Sequence, residues 1–317
     1  MGCGHVARRF ATSLRAAGGL LRAVASRTPG KAPHFAERYG AEKSHADYAA
    51  LAADPSVDAV YVATTHDLHH ANARLALEAG KAVLCEKPLT IDARSARDLF
   101  ETARRNDVFL MEAMWMRFLP AIRHLLEALN EGLVGEPRAL RADFSIDGRA
   151  LPPQHRLRNP ALAGGALLDL GIYPIAFARL VFGADPERIQ ATAELDATGV
   201  DARSAYLLEY PGARHARLSA SYLHLAPTEA VVSGTEGFVH VPCFLAAEEL
   251  RIHRPGSDEP EIRRFPFDPE TGFRFEIEEA ETRIRQGSIE SHLYPAAATI
   301  GVLETMDAVR RQIFAGP

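Results

Sequence analysis

The sequence predicts an α/β chain in two parts: a doubly wound parallel sheet over residues 1–118, then an α+β half over residues 119–317 built on a large open, mostly antiparallel sheet. Three observations predict it. Up to Phe118, short apolar runs alternate with amphipathic helical stretches; from Arg138 onward, strands cluster with period-two patterning; and the character changes at Pro120. Strands covered on both faces read as continuous apolar runs, whereas strands with one wet face alternate.

The first element is a turn. Gly2-Cys3-Gly4-His5-Val6-Ala7 has G-x-G-x-x-A spacing, and Arg8 to Ala17 follows with helical periodicity through Phe10 and Leu14. Such glycines allow a tight turn and close approach of a pyrophosphate to the helix N-terminus, so Gly2, Gly4, His5 and Val6 are candidate cofactor contacts. Leu20 to Ser26 reads as the next strand, at the distance a nucleotide-binding βαβ unit requires. That motif normally follows a buried apolar strand, yet only Met1 precedes Gly2. The first strand is therefore expected to be truncated, because the recorded start lies inside the gene or because the chain is a fragment. After the second strand an acid would bind a ribose 2′-hydroxyl, whereas Ser26-Arg27 with Lys31 offers a hydroxyl and cations suited to a 2′-phosphate. NADP is expected before NAD, with an exposed basic loop as the plain alternative.

Phe35 to Tyr39 and Asp47 to Leu51 read as short helices, and Val57 to Ala63 as a strand ending in Thr64-Thr65-His66-Asp67-Leu68-His69-His70. Thr64 and His66 are expected on the nicotinamide–ribose side of a cleft, with His69, also a candidate cofactor contact, starting the helix to Gly80. The histidines lack an acidic or thiol third ligand, so no metal is expected. Ala82-Val83-Leu84-Cys85-Glu86-Lys87-Pro88-Leu89 reads as a buried parallel strand delivering a charged pair to the carboxyl edge of the sheet, where open α/β sheets bind ligands. Pro88 lacks an N–H and stops the strand, which leaves Lys87 at its mouth. Asp92 to Asn106 is the next helix and Val108 to Met111 the next strand, leading into Glu112 to Phe118.

In the second half, Ala121 to Gly132 reads as a helix and Arg138 to Ile146 as a strand. Gly164-Gly165 then opens a helix carried on to Phe182. Strands follow at Ile189 to Leu195, Ser204 to Tyr210, Arg214 to Tyr222, Glu229 to Ser233 and Phe238 to Val241; the helices Phe275 to Arg285 and Leu293 to Ile313 close the chain and could pack back on the first domain. Apolar residues on both alternating sets of Arg214 to Tyr222 suggest a face that needs a partner, hence a homodimer. Asp169 and Tyr173, at i and i+4, share one face of a helix. An acid and a phenol so placed could bind a substrate hydroxyl and move its proton. The residues alone equally allow Asp169 as a helix cap and Tyr173 as packing at its start.

Composition excludes some classes. A net charge of −5, from 36 basic against 41 acidic residues, with no long basic run argues against a nucleic-acid surface. No apolar run approaches the roughly 18 residues that cross a bilayer, so no membrane span is expected. Three distant cysteines indicate neither a disulfide framework nor a zinc site, and suit a reducing cytoplasm.

Taken in order, GCGHVA, the AVASR strand end, CEKPLT, EAMWMRF and GGALLDLGIYP resemble the Gfo/Idh/MocA oxidoreductase family over essentially the whole length, the last two most like its branch of dimeric dihydrodiol dehydrogenases and NADP-dependent D-xylose 1-dehydrogenases. The resemblance implies a Rossmann domain, a C-terminal domain with an open sheet, and hydride transfer to or from NADP. It gives Lys87 the catalytic lysine role, Tyr173 the acid–base role where many relatives carry His, and Asp169 a substrate contact. Trp115 and Arg117 fall near the cofactor, and His155 and Arg156 near the substrate; Glu86 is expected to orient Lys87. The expected function is an NADP-dependent dehydrogenase acting on a carbinol carbon of a sugar, polyol or dihydrodiol, in which Lys87 and Tyr173 must serve one substrate. A non-catalytic NADP-binding regulator of the same fold is the alternative.

Overall fold

The computed structural model describes residues 1–315, in two compact units. The first unit comprises Met1–Phe118 and Phe267–Ile300. In chain order it carries α1 (His5–Ala16), β1 (Ala23–Ala25), α2 (Lys31–Tyr39), β2 (Lys43–His45), α3 (Tyr48–Ala53), β3 (Ala59–Val62), α4 (His66–Glu78), β4 (Ala82–Glu86), α5 (Ala93–Arg105) and β5 (Leu110–Ala113). Helix starts follow local chemistry: Asp47 and Asp92 accept the amides of Ala50 and Ser95, each at 2.7 Å, and so cap α3 and α5. Helix α4 begins at His66, three residues before the start expected at His69. Strand β2 is Lys-Ser-His and carries no apolar signal; pairing with β1, not composition, makes it a strand.

All pairings in this unit are parallel. They form two pieces, β1–β2 and β3–β4–β5. Between β1 and β3 lies only the dipeptide Met1–Gly2: the Met1 ammonium donates to Tyr61 O at 2.6 Å, the Ala63 amide donates to Met1 O at 2.9 Å, and the Gly2 amide donates to Ala25 O at 3.0 Å. Burial pushes the Met1 ammonium down to about 6. Beside it opens a cavity of about 640 Å³ whose lining includes Phe10, Leu14, Val24, Val60 and Tyr61. Every residue of β4 is buried, as a strand covered on both faces requires.

The second unit comprises Leu119–Pro266 and Gly301–Pro317. It begins with α6 (Pro120–Asn130) and β6 (Pro137–Ser145) and continues through a π-helical turn, Leu167–Gly171, into α7 (Ile172–Phe182). Seven strands follow: β7 (Arg188–Leu195), β8 (Asp201–Tyr210), β9 (Arg214–Ser221), β10 (Glu229–Gly234), β11 (Gly237–Pro242), β12 (Glu249–His253) and β13 (Glu261–Arg264). The chain then returns to the first unit with α8 (Arg274–Arg285) and the start of α9 (Ala296–Phe314), which ends in the second.

The sheet order is β13-β12-β11-β10-β6-β9-β8-β7, antiparallel throughout except that β6 and β9 run parallel. Register assigns Leu140 and Ala142, Ala216, Leu218 and Ala220, and Tyr206 and Leu208 to one buried face, against which α7 packs. The opposite face carries Arg141, Arg217, Leu207 and His240. The mixed pattern read into Arg214–Tyr222 is thereby corrected: its apolar residues share the inner face, and His215, Arg217 and Ser219 take the other. A second correction concerns membranes. Pro160–Phe182 is 23 residues long and apolar enough by composition to cross a bilayer, but 78% of its apolar window is buried inside this unit as core.

Candidate active site

The glycine turn of the first unit is built where no side chain fits. Gly2 has φ +90°, and a Cβ there would lie 2.4 Å from Ala63 O. Gly4 is the N-cap of α1 and leaves its first amides without a side-chain cap, while His5 is exposed and Val6 half-buried. Free amides at the start of a 12-residue helix suit a pyrophosphate, so this turn fits a dinucleotide. At the end of β1, the Ser26 hydroxyl accepts the Thr28 amide at 3.2 Å; Arg27 is exposed over the Tyr48 ring, and Lys31 begins α2.

At the ends of β3 and β4 the side chains interlock. Thr64 Oγ1 accepts from Asn72 Nδ2 at 3.1 Å. His66 is buried, its ring edge-on to His69 at 5.7 Å. The ring nitrogens of His69 face two main-chain carbonyls, Nδ1 to Pro88 O at 2.7 Å and Nε2 to Thr64 O at 3.1 Å. Burial lowers its pKa, and the two carbonyls work against that shift by favouring a protonated ring. The structure thus places His69, expected as a cofactor contact, 1% exposed between the Thr64 loop and the Pro88 turn.

Glu86 ends β4 and is buried. The Tyr61 hydroxyl donates to it, and its own carboxylate accepts the Lys87 amide at 3.2 Å. Burial raises its pKa, as it does that of Glu276, whose two oxygens are also buried. Glu112, on β5 and in register with Cys85, lies on the other face of the sheet from Glu86 and was no candidate in the sequence: Oε1 accepts the Leu89 amide at 2.7 Å and Oε2 accepts from the Thr299 hydroxyl at 3.0 Å. Its one sequence signal is a carboxylate closing an apolar strand. Trp115 lies edge-on to Phe273 at 5.5 Å, and Arg117 donates through Nε to Leu293 O at 3.0 Å.

In the second unit, Asp169 and Tyr173 lie on either side of the junction between the π turn and α7, not on one continuous α-helix. Asp169 is buried and ion-paired to Arg156 at 3.0 Å, which brings together two of the expected substrate residues. Tyr173 lies edge-on to Phe144 at 5.7 Å. His155 accepts the Leu157 amide at 3.3 Å, and burial beside Arg156 lowers its pKa. The π turn is anchored from β8: Asp201 accepts the Leu167 amide at 2.7 Å and the Ser204 hydroxyl at 3.1 Å, and burial pushes its pKa up to about 6. Small residues are required there. A Cβ on Gly165 would lie 2.3 Å from Asp201 Oδ1, and one on Gly171 would lie 2.5 Å from the Tyr206 hydroxyl. Single-turn π segments interrupting helices recur at functional sites, and this one holds Asp169.

Residues 1–114 match the family model described as the oxidoreductase family with an NAD-binding Rossmann fold, and residues 122–240 match the GFO/IDH/MocA C-terminal domain. The chain belongs to the GFO/IDH/MocA oxidoreductase family. Among members of known activity it is 36% identical to trans-1,2-dihydrobenzene-1,2-diol dehydrogenase of Mus musculus, over 98% of this chain and 94% of that protein. It is 37% identical to the Homo sapiens enzyme, over 92% and 88%. Among solved structures, a 3-ketoreductase from Actinomadura kijaniata in complex with NADP and TDP-benzene superposes with TM-score 0.87 at 30% identity, covering 98% of this chain and 96% of that one. A levoglucosan dehydrogenase in complex with NADH and levoglucosan superposes with TM-score 0.89, 98% and 95% covered, at 20% identity, a likeness of fold.

Proposed function

We propose that this chain is an NADP-dependent dehydrogenase that passes hydride between nicotinamide and the carbinol carbon of a sugar or cyclic diol. The observation that carries the reading is sequence identity of 36% and 37% with two dihydrodiol dehydrogenases across at least 92% of the chain. The family's NAD-binding domain and the fit of the Gly2–Gly4 turn to a pyrophosphate support the cofactor. Ser26, Arg27 and Lys31 support a 2′-phosphate, with NAD as the second cofactor.

The bound nicotinamide supplies the hydride acceptor or donor. The residues supply everything else. Lys87, at the mouth of β4, holds the carbinol oxygen as a hydrogen-bond donor; Tyr173 takes or returns its proton; Asp169, oriented by Arg156, binds a neighbouring hydroxyl. The solved variants of the Actinomadura ketoreductase include a lysine-to-alanine and a tyrosine-to-phenylalanine exchange, the residue types placed here at Lys87 and Tyr173. A second copy across the outer face of the eight-stranded sheet is the proposed partner, supported by the exposed Phe238 and Ile262 on that face. A cytoplasmic setting, supported by free thiols at Cys3, Cys85 and Cys243, belongs to the same reading.

The test is NADP reduction with cyclic trans-1,2-diols and ring aldoses. Turnover with one of these classes, at least tenfold above turnover with open-chain alcohols, is the expected result. Binding of NADP without turnover of any of them would overturn it.

A further inference from the structure

We infer that Glu112 is a positioning residue for Lys87: its carboxylate pins the Leu89 amide and so fixes the turn that presents the lysine. The inference rests on the role given to Lys87 above. The turn Lys87-Pro88-Leu89 is gripped on both sides by buried side chains. From β5, Glu112 accepts the Leu89 amide at 2.7 Å; from α4, His69 reaches Pro88 O at 2.7 Å and ties the turn to the Thr64 loop. Glu112 is itself fixed, because its second oxygen accepts from Thr299 at the start of α9, 187 residues away in sequence. The residue next to the gripped pair is the lysine, so a shift of this turn moves its ammonium directly.

The choice of a carboxylate points the same way. An amide could accept the Leu89 bond at no cost in charge, whereas a carboxylate fully removed from water is disfavoured, which burial shows by pushing the Glu112 pKa up to about 7. What a carboxylate adds is a stronger acceptor for Leu89 and a negative charge that favours the lysine's ammonium. The groups facing it are Lys87 and Cys85 from β4 and its turn, Tyr294 just before α9 and Thr299 in the first turn of α9; Lys87 and the two hydroxyls favour its ionised form. The grip is therefore firmest above neutral pH and loosens as Glu112 takes up a proton.

The experiment compares Glu112→Gln, Thr299→Val and Lys87→Met with the wild-type protein in NADP reduction from pH 5.5 to 9, together with hydrogen exchange at the Leu89 amide. Misplacing a reacting group by a fraction of an ångström costs on the order of tenfold or more in turnover. Glu112→Gln should accordingly lose about that factor in kcat, keep its KM for NADP within about twofold, lose the limb of the pH profile near neutrality and show faster Leu89 exchange. Thr299→Val removes one donor to the carboxylate and should move that limb to higher pH. Wild-type kcat and an unmoved limb in both variants, with Lys87→Met inactive, would overturn the role of Glu112 and leave Lys87 in place. An active Lys87→Met would overturn the reading of Lys87, and Leu89 exchange would still report whether Glu112 holds the turn.

Discussion

Glu112 in the first unit and Asp201 in the second each accept a main-chain amide at 2.7 Å, from Leu89 and Leu167, and each of those amides lies two residues from a charged candidate, Lys87 and Asp169. The two anchors differ in how they are held. Asp201 is fixed locally: it bonds Ser204 three residues along its own strand, and that hydroxyl meets Tyr206 at 2.5 Å. Glu112 depends on Thr299, far away in the chain, and burial raises its pKa to about 7 against about 6 for Asp201. A carboxylate built into a strand ladder can be a permanent fixture, whereas one held by a distant hydroxyl and titrating near neutrality can loosen with pH.

The largest effects fall on the two proposed reacting groups. Lys87→Met and Tyr173→Phe should each lower kcat by ~10²-fold or more with NADP binding unchanged, measured by steady-state kinetics and fluorescence titration. A loss of NADP affinity in Tyr173→Phe that matched its loss of turnover would make that tyrosine a binding element instead. Asp201→Asn tests the anchor in the second unit. Asparagine keeps an acceptor for Leu167 on a strand where Ser204 holds it, so turnover should fall by only about threefold, against the roughly tenfold expected of Glu112→Gln.

Stability sharpens the comparison further. Both pKa values are raised, so the folded chain binds these protons more tightly than the unfolded one, and stability falls as pH rises: from about 4.5 to about 7 for Glu112 and from 3.8 to about 6 for Asp201. Each group is worth at most ~3 kcal/mol across its window, taking 1.36 kcal/mol per pKa unit. Both variants should thus melt higher than wild type at pH 8, Glu112→Gln losing most of that advantage by about pH 5 and Asp201→Asn by about pH 4. Lower melting temperatures at pH 8 would show that the carboxylates stabilise the fold outright. The smallest expected effect lies at the cofactor. Arg27→Ala should weaken NADP binding by about threefold to tenfold and leave NAD binding unchanged, since a single exposed cation on a phosphate contributes roughly 1 kcal/mol.

Sequence periodicity reports faces, and here it located most elements within a few residues. The continuous apolar run of β4 and the alternation of β8 follow directly from burial on two faces and on one. It missed β2 and β13, whose strand character comes from their neighbours, and β12, although Leu250 and Ile252 alternate there as a one-sided strand requires. At the candidate site, the glycine turn and the charged end of β4 were legible because their residue types are forced by close approach and by a strand end. Neither the π turn under Asp169 nor the reach of Thr299 to Glu112 could be read, because both depend on contacts between residues far apart in the chain. The setting of His69 between two main-chain carbonyls was out of reach of the sequence for the same reason.

The stretch Phe267–Ile300, which lies past every strand of the second unit, belongs with the first. Cutting the gene after residue 118 to obtain a free-standing nucleotide half would discard Ile289, whose carbonyl accepts the Leu110 amide at 3.0 Å, along with the hydroxyl that steadies Glu112. The half that holds the lysine is stitched from two separated stretches of the polypeptide, so a product must run at least through Ile300 to contain all of it.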